Sequence, residues 1–167
     1  HSFPTRRSSN LALAALADSE TRYRSLVGDV QDVIFQADAD GTWVVLNAAW
    51  TRITGFSIEE SIGHSWLEHA HPADAEDLAR RLREFGHSAD ETCAQPFRVL
   101  ARDGGVRWLQ LHARAHRDDA GRLHSVVGTL SDITARVHVE ERQRRDDERM
   151  RQVIEDIPIA VAMFDRD

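Results

Sequence analysis

The sequence predicts an α+β domain: a five-stranded antiparallel sheet with short helices on one face, flanked by N-terminal and C-terminal helices. Three observations predict it. Residues 97–131 hold three β-rich runs in succession, joined by Asp103-Gly104-Gly105 and Asp118-Asp119-Ala120-Gly121, whose glycines supply the positive φ that tight hairpins need. A shorter pair of β-rich runs, Asp32 to Ala37 and Thr42 to Leu46, flanks the turn-forming Asp38-Ala39-Asp40-Gly41. Between hairpin and meander lie capped helix signals in place of strand alternation, the segregation that an α+β layer requires.

From Leu11 to about Val30 the residues Leu16, Tyr23, Leu26, Val27 and Val30 recur at helical spacing, which predicts an amphipathic N-terminal helix over 12–31. After the first hairpin, Asn47 is suited to cap a short helix from Ala48 to Thr54, with Gly55 placed to end it. Ser57-Ile58-Glu59-Glu60 is a capping box opening a second short helix that stops near Gly63. His71-Pro72-Ala73-Asp74 then starts a helix to about Phe85, with Asp74, Glu76 and Asp77 favourable to its positive end and Leu78, Leu82 and Phe85 forming one apolar stripe.

The meander strands are Phe97 to Arg102, Val106 to His116 and Arg122 to Ser131. In the middle strand Leu109, Leu111, Ala113 and Ala115 share one face. Trp108, Gln110, His112, Arg114 and His116 share the other, which is expected to meet the N-terminal helix or a partner. The third strand runs through Asp132-Ile133-Thr134 into a charged helical connector over 135–157. Its apolar residues Val137, Met150, Val153, Ile154 and Ile157 leave the middle without a hydrophobic seam, which argues against a continuous coiled coil.

Composition narrows the function classes. The chain has 167 residues, 41% of them hydrophobic and 29% charged, room for one core with flanking helices. No apolar run approaches the roughly 20 residues of a membrane span, so no membrane contact is expected from this segment. The formal charge is −7 and all 21 basic residues are arginines interleaved with acids, which gives no basic face for nucleic acid. Cys93 is the single cysteine and has no internal disulfide partner, permitting a reducing compartment; a cytoplasmic location is expected, with any membrane anchor elsewhere in the parent. Residues 1–11 lack an initiating methionine and an apolar signal core, and are expected to be a non-native or disordered leader.

Residues 32–134 resemble a PAS domain with its C-terminal PAC segment. The resemblance rests on Asp40-Gly41 with Leu46-Asn47-Ala48-Ala49-Trp50, Thr54-Gly55-Phe56-Ser57 with Glu60 and Gly63, and Trp66 with His71-Pro72-Ala73-Asp74. It continues through Phe97-Arg98, Arg102-Asp103-Gly104, Arg107-Trp108, Asp119-Ala120-Gly121-Arg122, Gly128 and Asp132-Ile133-Thr134. About a dozen weak pieces in the right order make a specific signal. Residues 158–167 look like the truncated start of a second such domain. The resemblance implies a non-catalytic sensory or regulatory module of a bacterial signal-transduction protein, foremost a sensor histidine kinase, with a diguanylate cyclase or phosphodiesterase, or a haem- or small-ligand-binding sensor, as alternatives. It also implies downstream signalling domains in the same chain and a homodimer formed through the flanking helices.

The apolar residues Phe35, Val45, Trp50, Ile53, Phe56, Trp66, Leu82, Leu109 and Leu111, with Ile62, Leu67 and Phe97, are expected to converge between sheet and helices. They either line a ligand pocket or simply fill the core. No resident cofactor is expected. A flavin photoadduct needs a reactive cysteine after the capping-box helix, where this chain has Gly63-His64-Ser65-Trp66-Leu67-Glu68-His69. No histidine lies between Asp74 and Phe85, where a haem ligand would come from; His69 and His71 flank the start of that helix and His64 is near, and His71 is explained by the His-Pro-x-Asp turn, while His69 and His71 with Glu68 or Asp74 make an unpersuasive metal set, so no metal is expected. No nucleophile elbow or phosphate-cradling loop is present, and His138 lacks the acidic residue and Pro-Leu that follow a phosphoacceptor. Asp132, Ile133 and Thr134 are the candidate signal relay, with Asp132 fixing the exit angle and Thr134 capping the connector.

Overall fold

Turn chemistry sets the strand boundaries. The computed structural model describes residues 31–88 and 91–155. Strand β1 (Val33–Asp38) turns through Asp38, whose Oδ1 accepts the amides of Asp40 (3.0 Å) and Thr42 (2.8 Å), into β2 (Trp43–Leu46). Helix α1 (Ala49–Thr54) ends at Gly55 in the left-handed region, and α2 (Ile58–Ser61) opens on the capping box of Ser57 and Glu60. A 3-10 turn (Trp66–His69) leads to α3 (Pro72–His87), whose cap is His71: its Nδ1 accepts the Ala73 amide at 3.2 Å.

The meander follows as β3 (Thr92–Leu100), β4 (Val106–Arg117) and β5 (Leu123–Asp132). The sheet is antiparallel in the order β2-β1-β5-β4-β3, so the last strand inserts beside the first. One compact unit ends at Ile133, and a second, containing α4 (Thr134–Glu155), begins at Thr134.

The expected five strands and their order along the chain are present, with informative shifts. β3 starts at Thr92 where Phe97 was expected, because Pro96 lies inside it, paired with Gln110. Proline lacks the amide a central strand needs, but β3 is a sheet edge, where the loss costs little. α3 runs two residues past the expected Phe85. The cap of α1 is Ala48, and the Asn47 side chain instead accepts the Ile34 amide (3.0 Å) and donates to the Asp32 carbonyl (3.0 Å), joining β1 to the start of the helical layer. Thr134 is the first residue of α4. The leader over 1–11, the helix expected over 12–31 except Gln31, and the second-domain start at 158–167 lie outside the described residues.

The core sits between the inner sheet face and the helices. Val33, Phe35, Leu109, Leu111 and Leu130 are 2% exposed or less. The expected inward face of β4 is buried throughout, while His112, Arg114 and His116 opposite are exposed. Two anchors hold the helical layer on the sheet edge. The Asp74 carboxylate accepts the Arg98 amide (3.2 Å) and Nε (2.8 Å) and pairs with its Nη2, and the His71 amide donates to the Arg98 carbonyl (2.8 Å).

At Gly128 the neighbouring strand leaves no room for a side chain: an added Cβ would lie 2.1 Å from the His112 carbonyl oxygen and 2.9 Å from the Ala113 Cα. Those atoms are backbone, so relief requires moving β4 away from β5. Gly128→Ala is expected to lower the unfolding free energy in urea titrations by about 3 kcal/mol, the upper end of overpacking costs. A loss below about 0.5 kcal/mol would contradict this packing.

Candidate functional site

The interior is filled by aromatic rings. Phe35 of β1 meets Trp43 edge-on at 5.2 Å and Trp66 at 6.4 Å, and Trp43 contacts Trp50 (5.6 Å) and Trp66 (5.9 Å). The His69 ring lies against Trp50 (5.2 Å) and Phe56 (4.6 Å). Trp50 is fixed by its own polar handle: Nε1 donates to Ser61 Oγ at 2.8 Å, and that hydroxyl donates to the Ser57 carbonyl at 2.9 Å. α1, α2 and the 3-10 turn are thereby tied around one indole.

Of the expected lining residues, Phe35, Trp50, Trp66, Leu109 and Leu111 are buried, and Ile53, Phe56 and Leu82 pack partly buried against them. Val45 does not join them: it is 47% exposed, and Trp43, absent from the expected set, is buried in its place. The cause is a β-bulge. Gln36 pairs with Val45 but Ala37 pairs with Trp43, leaving Val44 as the extra residue, so alternation breaks and both valines face outward. A run of Trp-Val-Val-Leu has no period-2 contrast that would reveal it. The only available signal was the size of Trp43 itself.

A cleft of about 440 Å³ lies beyond this cluster, where the C-terminal half of α3 (Leu82, Arg83, Phe85) faces the β1–β2 turn (Asp38 to Gly41) and Leu123 and Val126 of β5, with Trp66 in its wall. The end of α3 is held by Arg117, at an irregularity in the β4–β5 pairing. Its guanidinium donates to the carbonyls of Phe85 (3.2 Å), Gly86 (2.9 Å) and Ser88 (2.8 Å), acceptors that a helix C-terminus leaves unpaired. No local spacing signals this clasp, because Arg117 and the end of α3 are about thirty positions apart.

Charge elsewhere serves the scaffold. Arg102 pairs with both oxygens of Glu60 (2.7 and 2.9 Å), and this with the capping-box bonds holds the Glu60 carboxyl down at about 2. Cys93 lies within β3, its thiol pushed up by burial, which is contrary to a reactive thiolate. His64 Nδ1 stands 3.2 Å from Glu68, His71 is the α3 cap, and among the described residues no three His, Cys, Asp or Glu side chains gather as a metal-binding group. The residues expected to act as a relay stand at the end of β5: Asp132 pairs with Leu109 and is exposed, and the Ile133 amide donates to the Trp108 carbonyl at 2.9 Å.

His69 is the titratable group nearest the core. Its Nε2 is buried without a partner among the described residues, and burial lowers its pKa from 6.5. The folded state therefore resists protonation more than the unfolded chain does. This contribution to stability is complete above pH 6.5 and declines as pH falls below it toward the lowered pKa. Urea midpoints are expected to drop as pH falls below 6.5 in the parent protein, and this drop is expected to be lost in His69→Leu. An equal slope in both proteins would show that the histidine does not titrate against folding.

Comparison with known proteins agrees with this architecture. The PAS fold family matches residues 21–133. The chain is 27% identical over 146 residues to sporulation kinase C of Bacillus subtilis, covering 81% of this chain and 33% of the kinase. Among solved structures, the PAS domain of an HTR-like protein from Haloarcula marismortui superposes with a TM-score of 0.62 at 26% identity, covering 74% of this chain and 99% of that one. A sensory box histidine kinase/response regulator from Burkholderia thailandensis gives 0.64 at 24% identity, covering 78% and 98%. The chain spans between 8% and 33% of the length of the curated relatives it matches. No helix among the described residues is long and apolar enough to cross a membrane. The chain belongs to the PAS-fold family, as a sensory domain related to those of histidine kinases.

Proposed function

We propose that this domain is a non-catalytic regulatory module that relays a signal through its C-terminal helix to a downstream domain, in a bacterial sensor histidine kinase. The observation that carries the reading is the continuity of β5 with α4. The strand is buried against the core at Leu130 (0% exposed), pairs with both β1 and β4, and passes through Asp132 and Ile133 directly into a helix of 22 residues. A change of sheet twist or strand register therefore reaches the helix without an intervening flexible loop. Relatedness to kinase segments supports the choice of parent.

The interior supports a module without a resident cofactor, since Trp43, Trp50, Trp66 and Phe35 contact one another where a flat prosthetic group would lie. The second unit supports helix-mediated pairing of two copies. Val139, Met150 and Val153 are exposed on α4 at 51%, 62% and 54%, and the pairs Arg136–Glu140 and Arg144–Glu148 stiffen it only weakly. Relay requires that the stimulus bind two states of the domain unequally, the bias then appearing in α4 as a shift of population.

In the full-length parent, Asp132→Ala is expected to leave the domain folded and to change the response of the output to its stimulus by several-fold. An unchanged dose-response curve would remove Asp132 from the relay. A response lost together with folding would be distinguished by circular dichroism of the isolated variant.

A further inference from the structure

We propose that the cleft between α3 and the β1–β2 turn binds a small zwitterion with an apolar body, an α-amino acid of aliphatic or aromatic side chain. The proposal rests on the sensory reading above and names the class of ligand that this region takes.

The cleft volume of about 440 Å³ falls within the ~300–1,000 Å³ of small-molecule sites. Its floor is apolar, from Leu67, Leu82, Phe85, Leu123 and Val126. Its two lips carry opposite charge. Arg83 stands on the α3 lip and Asp40 on the turn opposite; both are exposed, and neither has an ion-pair partner among the described residues. Other arginines of α3, Arg80 and Arg81, are engaged with Asp77. A cation and an anion held apart across an apolar gap complement a molecule bearing both charges.

A second observation lies deeper. Trp66 is 8% exposed, and its indole N–H has no hydrogen-bond partner among the described residues. That nitrogen lies against Gly41, where an added Cβ would approach it to 2.5 Å, so the absence of a side chain at 41 keeps it uncovered. The N–H is not one of the buried unpartnered donors of the described residues, so it is open to solvent and free to donate to a ligand carboxylate. In this arrangement Arg83 and the Trp66 N–H take the carboxylate, Asp40 takes the ammonium, and the side chain lies on the floor. A charge-assisted hydrogen bond contributes more than a neutral one, so both charges count toward selection.

The test is titration of the whole chain with L-phenylalanine, followed by the indole N–H resonance of Trp66, assigned through Trp66→Phe. A saturable shift is expected. Phenylalaninamide, which lacks the carboxylate, and 3-phenylpropionate, which lacks the ammonium, should each bind about tenfold or more weakly, and Arg83→Gln should weaken phenylalanine by a similar factor. L-Leucine should also saturate the shift. No saturable shift with either amino acid, or equal binding of phenylalanine and 3-phenylpropionate, would overturn the proposal. Either failure leaves the relay through Asp132 standing, because that experiment reads the parent's output and requires no ligand in this cleft.

Discussion

The bulge at Val44 is the constraint on which the rest of the domain depends. By adding one residue to β2 it turns Trp43 inward beside Phe35, and Trp50 and Trp66 close around those two rings. Each indole buries a large apolar area, and edge-on contacts of this kind contribute about 0.5–1.5 kcal/mol beyond area alone. The helical layer gains its position from the same rings. α1 delivers Trp50, α2 receives its N–H through Ser61, and the 3-10 turn brings Trp66 and His69. What would be a cavity between sheet and helices is thereby occupied by the protein's own side chains.

With the centre filled, the cleft lies at the domain's rim. α3 is secured at one end by Asp74 with Arg98 and at the other by the Arg117 clasp, each drawn from a different strand of the meander. Movement of α3 therefore has to be shared with β3 and β4 and cannot be absorbed in a loop alone. β4 in turn pairs along nearly its whole length with β5, the strand that becomes α4. In the proposed relay this pairing connects the meander to the strand that continues into α4.

Much of this fold was legible in the sequence because local chemistry and global pattern agreed. The meander announced itself through alternation in β4 and glycine turns, and the capping box at Ser57 and Glu60 marked the start of α2, which ends at Ser61, short of the expected Gly63. Failures occurred where tertiary context overrode local rules. Asn47 has the chemistry of a helix cap, but its amide serves β1. Pro96 lies inside β3, which tolerates it because β3 is an edge strand. Val45 reads as core, but the bulge sends it outward. The candidate site was legible only as a set of apolar residues; Arg117, the cleft and the uncovered indole of Trp66 depend on contacts between distant segments that no local spacing encodes.

We propose that the aromatic cluster occupies the place of a prosthetic group, leaving a module that works through packing. The most direct measurement is the absorption spectrum of the protein purified from its native host, taken from 300 to 700 nm before and after denaturation. The account predicts a spectrum that ends with the tryptophan band near its short-wavelength limit and no chromophore released on unfolding. A Soret band, or a flavin band that appears in the denatured supernatant, would contradict it.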